Sequence, residues 1–328
     1  MKNIQADIKS GNFKQVYLLY GEEAYLKQQY KQNLVKALNP DGDTMNFNHY
    51  EGKGIDVKQL IDLCETMPFF AERRVVLLED TDFFKNKCEE LADYMKELPD
   101  YLYLVFAETE VDKRNRMYKA VKACGSIAEF IRQDEKTLMR WAAGILGKAG
   151  KKITQRDMEL LLTKTGTDMG NLRMEMEKLI SYTEGRDVVT AEDIEEICTT
   201  QTTNRIFDMV RAVTEKNQKR ALELYYDLLT LKEPPMRILF LLAKQYRQLL
   251  LAKQFAAAGL AQTEIASKLG VPGFVVRNIT TCARAYAISE LEQAVKDFVD
   301  AEESVKTGRL EDKLSVELLI IKYSSKVK

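Results

Sequence analysis

Apolar residues follow two rhythms along this chain. Up to about residue 130 they gather in short unbroken runs: Val16-Tyr17-Leu18-Leu19-Tyr20, Val75-Val76-Leu77-Leu78 and Tyr101-Leu102-Tyr103-Leu104-Val105-Phe106-Ala107, with weaker runs at Met45–Tyr50 and Ser126–Phe130. Runs of this length, bounded by charged or turn residues, read as buried strands. Between them the apolar positions take helical spacing. Leu26, Tyr30, Leu34 and Leu38 form one stripe; Val57, Leu60, Ile61 and Cys64 mark a helix over 56–65; further helices are expected over 83–97 and 112–124. Strands that are apolar throughout and alternate with helices predict a parallel sheet covered on both faces, hence an α/β domain over residues 1–134.

From about Asp134 the strand pattern stops. Helices are expected over 135–149, 155–164, 168–183 and 191–198, forming a small helical domain over 135–202. Thr154-x-x-Asp157 and Thr190-x-x-Asp193 have the form of capping boxes, and Gly185 stands where a helix-terminating glycine belongs. The last third, 203–328, is helical and longer-limbed. Ile206, Val210 and Val213 make one stripe; Leu222, Tyr225, Tyr226 and Leu229 make another; Pro234-Pro235 opens a long helix carrying Ile238, Leu242, Tyr246 and Leu249. Helices near 262–269, 272–286, 289–306 and 311–325 complete it, with short linkers near 133–135 and 199–203.

One junction breaks the pattern. The helix over 56–65 must end before Pro68, which lacks a backbone donor and drives Met67 out of the helical region. Two adjacent phenylalanines, Phe69 and Phe70, then occupy the tight connection to the Val75 strand, where backbone normally lies on the surface. Neighbouring side chains in such a loop diverge, so one core does not readily take both. Either they tuck under the sheet as loop anchors, or they stand out as an aromatic knob that fills a pocket on a partner protein.

Composition narrows the chemistry. Lysine and arginine total 49 against 50 aspartate and glutamate, a net charge of -1, so nucleic-acid contact must come from a local patch. The five cysteines are scattered without a CxxC pair, and His49 is the single histidine, which removes the common zinc spacings and a disulfide scaffold. Every apolar run is cut by charge short of a membrane span. A soluble protein of a reducing, cytoplasmic compartment with no membrane partner, no metal and no cofactor is expected.

The first strand, turn and helix sit where a phosphate-binding loop would. Such a loop needs G-x-x-x-x-G-K-[ST]. The turn here, Gly21-Glu22-Glu23-Ala24-Tyr25-Leu26, lacks the lysine and sets two acids at the helix N-terminus, where they suit the dipole and repel phosphate. Val75–Asp80 resembles a strand presenting acids to a metal, yet without the loop that metal has nothing to hold. A nucleophilic constellation would have to pass through His49, which lies in no motif. On the 112–124 helix, Met117, Val121 and Cys124 face one way and Arg116, Lys119 and Lys122 the other, a solvated face or a candidate phosphate contact. Thr263-Glu264-Ile265-Ala266-x-x-Leu269-Gly270-Val271 and the following helix have a helix-turn-helix outline. Pro272-Gly273-Phe274-Val275-Val276 is apolar where base-reading residues should be, which favours core packing.

The order of these parts resembles the delta-subunit family of the bacterial DNA polymerase III clamp loader. The likeness covers essentially the whole chain. It is carried by Val16–Glu23, Phe70–Leu78, Lys113–Gly125, Asp168–Leu179, Asn204–Asp208, Gln245–Leu249 and Val305–Gly308, specific together and not singly. The resemblance implies an AAA+-like α/β domain that binds no ATP, a small helical lid domain and an all-α collar that holds subunits together. It implies a non-catalytic subunit of a DNA-directed DNA polymerase (nucleotidyltransferase) holoenzyme, acting in DNA replication. Its partners would be the sliding clamp (beta), which it grips and helps to open, the gamma/tau and delta prime loader subunits, and primed DNA through the assembled complex. The family's clamp-gripping apolar pair matches Phe69 and Phe70, flanked by Met67 and Pro68; relatives often carry an aliphatic residue at the first of the two positions. Near Lys306–Arg309 some relatives turn an aromatic toward DNA; Arg309 stands there, which favours a phosphate contact. The competing reading is a helix-turn-helix DNA-binding regulator, which should bind duplex specifically as an isolated chain.

Overall fold

The structure, a computed structural model, describes residues 2–199 and 202–325, apart from the side chains of Lys2, Thr202, Thr203, Asn204 and Phe274. It comprises two compact units, Met1–Gln133 and Asp134–Lys328.

The first unit opens on a helix the sequence pattern does not reveal, α1 (Lys2–Ser10), in which Ile4 and Ile8 turn inward. There follow β1 (Val16–Tyr20), α2 (Ala24–Leu38), β2 (Phe47–Glu51), α3 (Val57–Glu65), β3 (Arg74–Glu79), α4 (Glu89–Tyr94), β4 (Leu102–Glu108), α5 (Arg116–Cys124) and β5 (Ser126–Glu129). The strands form one parallel sheet in the order β2-β3-β4-β1-β5. Successive strand side chains point to opposite faces. Val16, Leu18, Val76, Leu78, Leu104 and Phe106 therefore join Leu60, Cys64 and Val121 on one side, while Tyr17, Leu19, Val75, Leu77 and Val105 join Ile4, Leu34 and Leu38 on the other. Covering both faces is what makes these strands apolar throughout.

Two expectations fail in this unit. The helix over 83–97 reduces to α4, six residues long. Asp80 and Asp82 adopt left-handed backbone, and the Lys85 and Asn86 N–H groups both donate to the Asp82 carbonyl. Phe83 and Phe84 leave helical register to enter the core, Phe84 packing edge-on against Phe106 at 5.2 Å. At the end of α5, Met117 and Val121 are buried but Cys124, in the last turn, is exposed and turns its thiol back to the Ala120 carbonyl at 3.3 Å.

The second unit contains α6 (Glu135–Lys148), β6 (Lys152–Ile153), α7 (Gln155–Thr165), α8 (Met169–Tyr182), β7 (Val188–Val189), α9 (Ala191–Ile197), α10 (Thr202–Thr214), α11 (Gln218–Thr230), α12 (Pro235–Ala257), α13 (Gln262–Leu269), α14 (Gly273–Ala283), α15 (Ile288–Lys306) and α16 (Asp312–Ser324). Strands therefore do not end at Asp134: β6 and β7 form a two-residue parallel pair, too short to show alternation in sequence. Thr190 and Asp193 form a reciprocal capping box, Thr154 caps α7 through the Asp157 N–H, and Gly185 takes left-handed backbone three residues beyond α8. Leu161, Leu172, Met176 and Ile194 centre one core; Val210, Tyr225, Leu242, Tyr246 and Phe298 centre another. Tyr226 departs from its expected stripe, standing exposed while Leu224 and Leu228 turn inward beside Tyr225. Of the linker expected near 199–203, residues 200 and 201 lie outside the described residues.

Candidate functional site

In a parallel sheet all strands begin at one edge, and the Phe69–Phe70 loop stands at that edge, just before β3. Phe70 is 95% exposed, Phe69 55% and Met67 74%. The two rings pack edge to face, 4.4 Å between centroids, so they form one aromatic knob. Phe70 holds this position at φ +51°, a left-handed backbone that costs a non-glycine residue about 1–2 kcal/mol and persists only where its surroundings fix it.

The fixing groups lie behind the loop. The Arg74 guanidinium is buried; its Nε donates to the Thr66 carbonyl at 2.9 Å, Nη2 to the Met67 carbonyl at 3.3 Å and Nη1 to Asn48 Oδ1 at 3.2 Å. Five donors on a rigid fork suit a planar guanidinium to this task better than a lysine. Asn46, also buried, donates through Nδ2 to the Phe69 carbonyl at 2.8 Å and accepts the Phe69 N–H on Oδ1 at 2.6 Å. The same Nδ2 donates to Asp43 Oδ2 at 2.5 Å. That bond, followed by one from the Met45 N–H, holds the Asp43 carboxyl below its ordinary range. The Tyr101 hydroxyl ties off the end of α3 by donating to the Glu65 carbonyl at 2.8 Å. Met45, 63% exposed, extends the apolar surface from the neighbouring turn. The sequence pattern points to Met67, Pro68, Phe69 and Phe70 but not to Asn46, Arg74 or Met45; the bonds of Asn46 and Arg74 span up to 26 residues of chain.

The opposite edge of the sheet is where nucleotides bind in open α/β folds, outside the strand ends at the switch in strand order. Here that switch falls between β1 and β4. Gly21, at φ +125°, brings its backbone so close to β5 that a Cβ would lie 2.3 Å from the Phe130 carbonyl oxygen. The glycine thus serves a backbone joint, sealed by the Glu23 N–H donating to that same oxygen at 3.0 Å. Glu23 is buried at the start of α2, and Glu22 pairs with Arg132 at 3.3 Å. Lys27 reaches across the crevice and donates to the Glu108 carbonyl at 2.8 Å; desolvation lowers its pKa. Burial raises the Glu108 carboxyl, partly offset by bonds from the Thr81 N–H and hydroxyl. The acids ending β3 also have protein partners. Glu79 meets Lys31 Nζ at 2.5 Å and His49 Nε2 at 2.9 Å, and Asp80 accepts from the Thr109 N–H and hydroxyl. Among the described residues no group of three or more His, Cys, Asp or Glu side chains is arranged to hold a metal. Burial pushes the Cys64 and Cys198 thiols up to about 12, leaving them protonated at neutral pH.

The candidate phosphate contacts are distributed between the units. Arg116 reaches Asp93 at 2.7 Å and Glu89 at 3.7 Å, while Lys119 and Lys122 are exposed along the same helix. Arg309, in the second unit, pairs with Glu303 at 2.9 Å. The helix-turn-helix outline becomes α13 and α14, with Gly270 in left-handed backbone between them. Val276 and Ile279 of the second helix lie in the core and Val275 packs against it, so this face is not presented to a groove; the Phe274 side chain lies outside the described residues. Among the described residues no helix is long and apolar enough to cross a membrane.

An α/β unit whose phosphate-loop position is closed by its own backbone, followed by a helix-rich unit, defines a class of proteins built on the parallel α/β plan. Family models agree on both parts: the DNA polymerase III delta subunit model matches residues 17–130, and the model of that subunit's C-terminal domain matches 203–323. The chain belongs to the DNA polymerase III delta subunit family. It is 26% identical over 332 residues to the DNA polymerase III subunit delta of Bacillus subtilis (strain 168), covering 97% of this chain and 95% of that protein. The probable DNA polymerase III subunit delta of Aquifex aeolicus (strain VF5) is 23% identical over 270 residues, covering 78% and 75%. The fold matches the solved Bacillus subtilis DNA clamp loader delta protein with a TM-score of 0.67 at 24% identity, over 99% of both chains.

Proposed function

We propose that this chain is the clamp-gripping subunit of its loader, and that Met67, Pro68, Phe69 and Phe70 are the residues that seat in the sliding clamp (beta). The observation that carries this is the exposed aromatic pair, held out in a strained backbone by buried hydrogen bonds. A core anchor would not be exposed, and a flexible loop would not be bonded from behind. Inserting such a wedge into a clamp pocket, while the rest of the loader holds the chain, supplies a force that opens the ring for placement on primed DNA. Immobilised clamp should retain the full chain; passage of the folded chain without retardation overturns the reading.

The chain acts without ATP of its own. The crevice where a nucleotide would bind is occupied by Lys27, Glu108 and Glu23. Titration with ATP and magnesium should give no heat, and a micromolar, magnesium-dependent signal would refute this. Hydrolysis then falls to partner subunits of the gamma/tau type, with delta prime completing the loader, in the cytoplasm.

The proposed division is an AAA+-like domain over 1–134, a lid over 135–202 and a collar over 203–328. On the collar, α16 is apolar nearly all round: Val316, Leu319 and Ile320 are buried while Leu314, Leu318 and Ile321 remain exposed. A helix apolar on both sides is suited to burial on both, so the outer stripe is assigned to the neighbouring loader subunits. Replacing Leu314, Leu318 and Ile321 with serine should abolish assembly into the loader and leave clamp binding by the isolated chain intact. Undiminished assembly would place the contacts elsewhere. Arg309, Arg116, Lys119 and Lys122 are assigned to phosphate contacts in the assembled complex, where DNA would compete with the acids now beside Arg309 and Arg116.

A further inference from the structure

We propose that Asn46 is the positioning residue of the clamp-binding element, holding the Phe69 peptide so that Phe69 and Phe70 are presented before the clamp arrives. The inference deepens the proposed function and rests on it.

The geometry is specific to a carboxamide. The Phe69 N–H needs an acceptor, and Asn46 Oδ1 supplies it at 2.6 Å. The Phe69 carbonyl needs a donor, and Asn46 Nδ2 supplies it at 2.8 Å. The Asp43 carboxylate beyond needs the other Nδ2 proton, at 2.5 Å. A carboxylate at position 46 would offer neither of those protons and would face Asp43 directly. Asn46 is itself held. Its carbonyl accepts the Val75 N–H at 2.9 Å, which ties it to the start of β3. Asp43 is held by Asn39, which donates from Nδ2 to its carbonyl at 2.8 Å and accepts its N–H on Oδ1 at 3.0 Å. A continuous relay thus runs from the end of α2 through Asn39, Asp43 and Asn46 to the peptide carrying the aromatic pair.

Its consequence follows from the left-handed backbone of Phe70. With the preceding residue, Phe69, bonded at both its N–H and its carbonyl, the strained conformer is kept dominant. Released from Asn46, the loop relaxes to other conformers, and apparent affinity falls in proportion to the fraction still competent to bind. Arg74 holds the other end of the loop, at Thr66 and Met67, and does not reach the Phe69 peptide through any of these bonds.

The test uses the full chain and purified clamp at a temperature well below the melting point of every variant. Affinity is measured for wild type, Asn46→Ala, Asp43→Ala and the Phe69→Ala/Phe70→Ala double variant, with amide hydrogen exchange followed in parallel. Asn46→Ala should weaken clamp binding by about tenfold or more. The Phe69 amide should exchange faster while amides of β1 and β4 keep their protection. Asp43→Ala, acting through Asn46 from a partly exposed position, should shift both readouts the same way by a smaller factor, about threefold; it serves as the test if Asn46→Ala does not fold. Wild-type affinity in both single variants, alongside lost binding in the double phenylalanine variant, overturns the positioning role alone. Weakened binding with strand amides equally deprotected also overturns it, since the effect would then be general destabilisation. Wild-type affinity in the double phenylalanine variant overturns the proposed function, and this inference with it.

Discussion

Replacing both Phe69 and Phe70 with alanine should weaken clamp binding by two orders of magnitude or more while leaving the melting temperature nearly unchanged. Burying a phenylalanine side chain contributes roughly 1.5–3 kcal/mol, and about 1.4 kcal/mol is a factor of ten in affinity. The stability half of the expectation comes from exposure: Phe70 is 95% and Phe69 55% accessible, so the fold loses little apolar burial when they are truncated. Core anchors would behave oppositely, costing roughly 3–5 kcal/mol each on truncation. Phe70→Gly sharpens the contrast. Left-handed backbone costs a residue with a Cβ roughly 1–2 kcal/mol, whereas glycine adopts it freely and gives back about 0.5–1 kcal/mol in chain entropy. This variant should therefore be as stable as wild type, or up to about 1.5 kcal/mol more stable, while losing clamp binding. A gain in stability with a loss of function is the mark of strain retained for a binding site. Calorimetric melting and clamp titration of the same sample read both signs. A variant that melts much earlier yet binds while folded would assign the pair to the core.

The second large effect lies at the other edge of the sheet. Gly21→Ala should destabilise the first unit by roughly 2–6 kcal/mol. A side chain at φ +125° is strained by about 1–3 kcal/mol, and the new methyl would sit 2.3 Å from the Phe130 carbonyl oxygen. Relieving such an overlap costs typically about 1–3 kcal/mol more. The oxygen has little room to yield, since it accepts the Glu23 N–H while the Phe130 N–H donates to the Tyr20 carbonyl at 2.7 Å. The denaturant midpoint is the readout, and an unchanged midpoint would show that the backbone here adapts. The glycine that in a phosphate loop would admit a ligand here admits a neighbouring strand.

What the sequence revealed and what it concealed divide along the range of the interactions. The three central strands of the first unit, β1, β3 and β4, were legible because a sheet covered on both faces makes them runs of apolar residues, whereas the outer β2 and β5 gave weaker runs. The helical stripes of Ile206, Val210 and Val213, and of Ile238, Leu242 and Tyr246, were legible because one face packs on one core. The junction at Pro68 was legible because proline and two adjacent aromatics violate local expectation. Its support was not: Asn46 and Asn48 carry no signal of the bonds they make to Phe69 and Arg74, which exist only once β2 pairs with β3. The same limit hid the early end of the 83–97 helix. Thr81, fixed by the Glu108 carboxylate across the sheet edge, turns the chain so that Phe83 and Phe84 enter the core out of register. Helix α1, with two inward isoleucines among mostly polar residues, offers a stripe too short to read.

Covalent capture tests the central assignment most directly. A photo-reactive benzophenone amino acid placed at Phe70, with a control at Phe240 in the second unit, also exposed at 63%, would report which surface meets the clamp. Irradiated with purified clamp, the position-70 chain should give a clamp adduct and the position-240 chain none. An adduct from position 240 and none from position 70 would contradict the account.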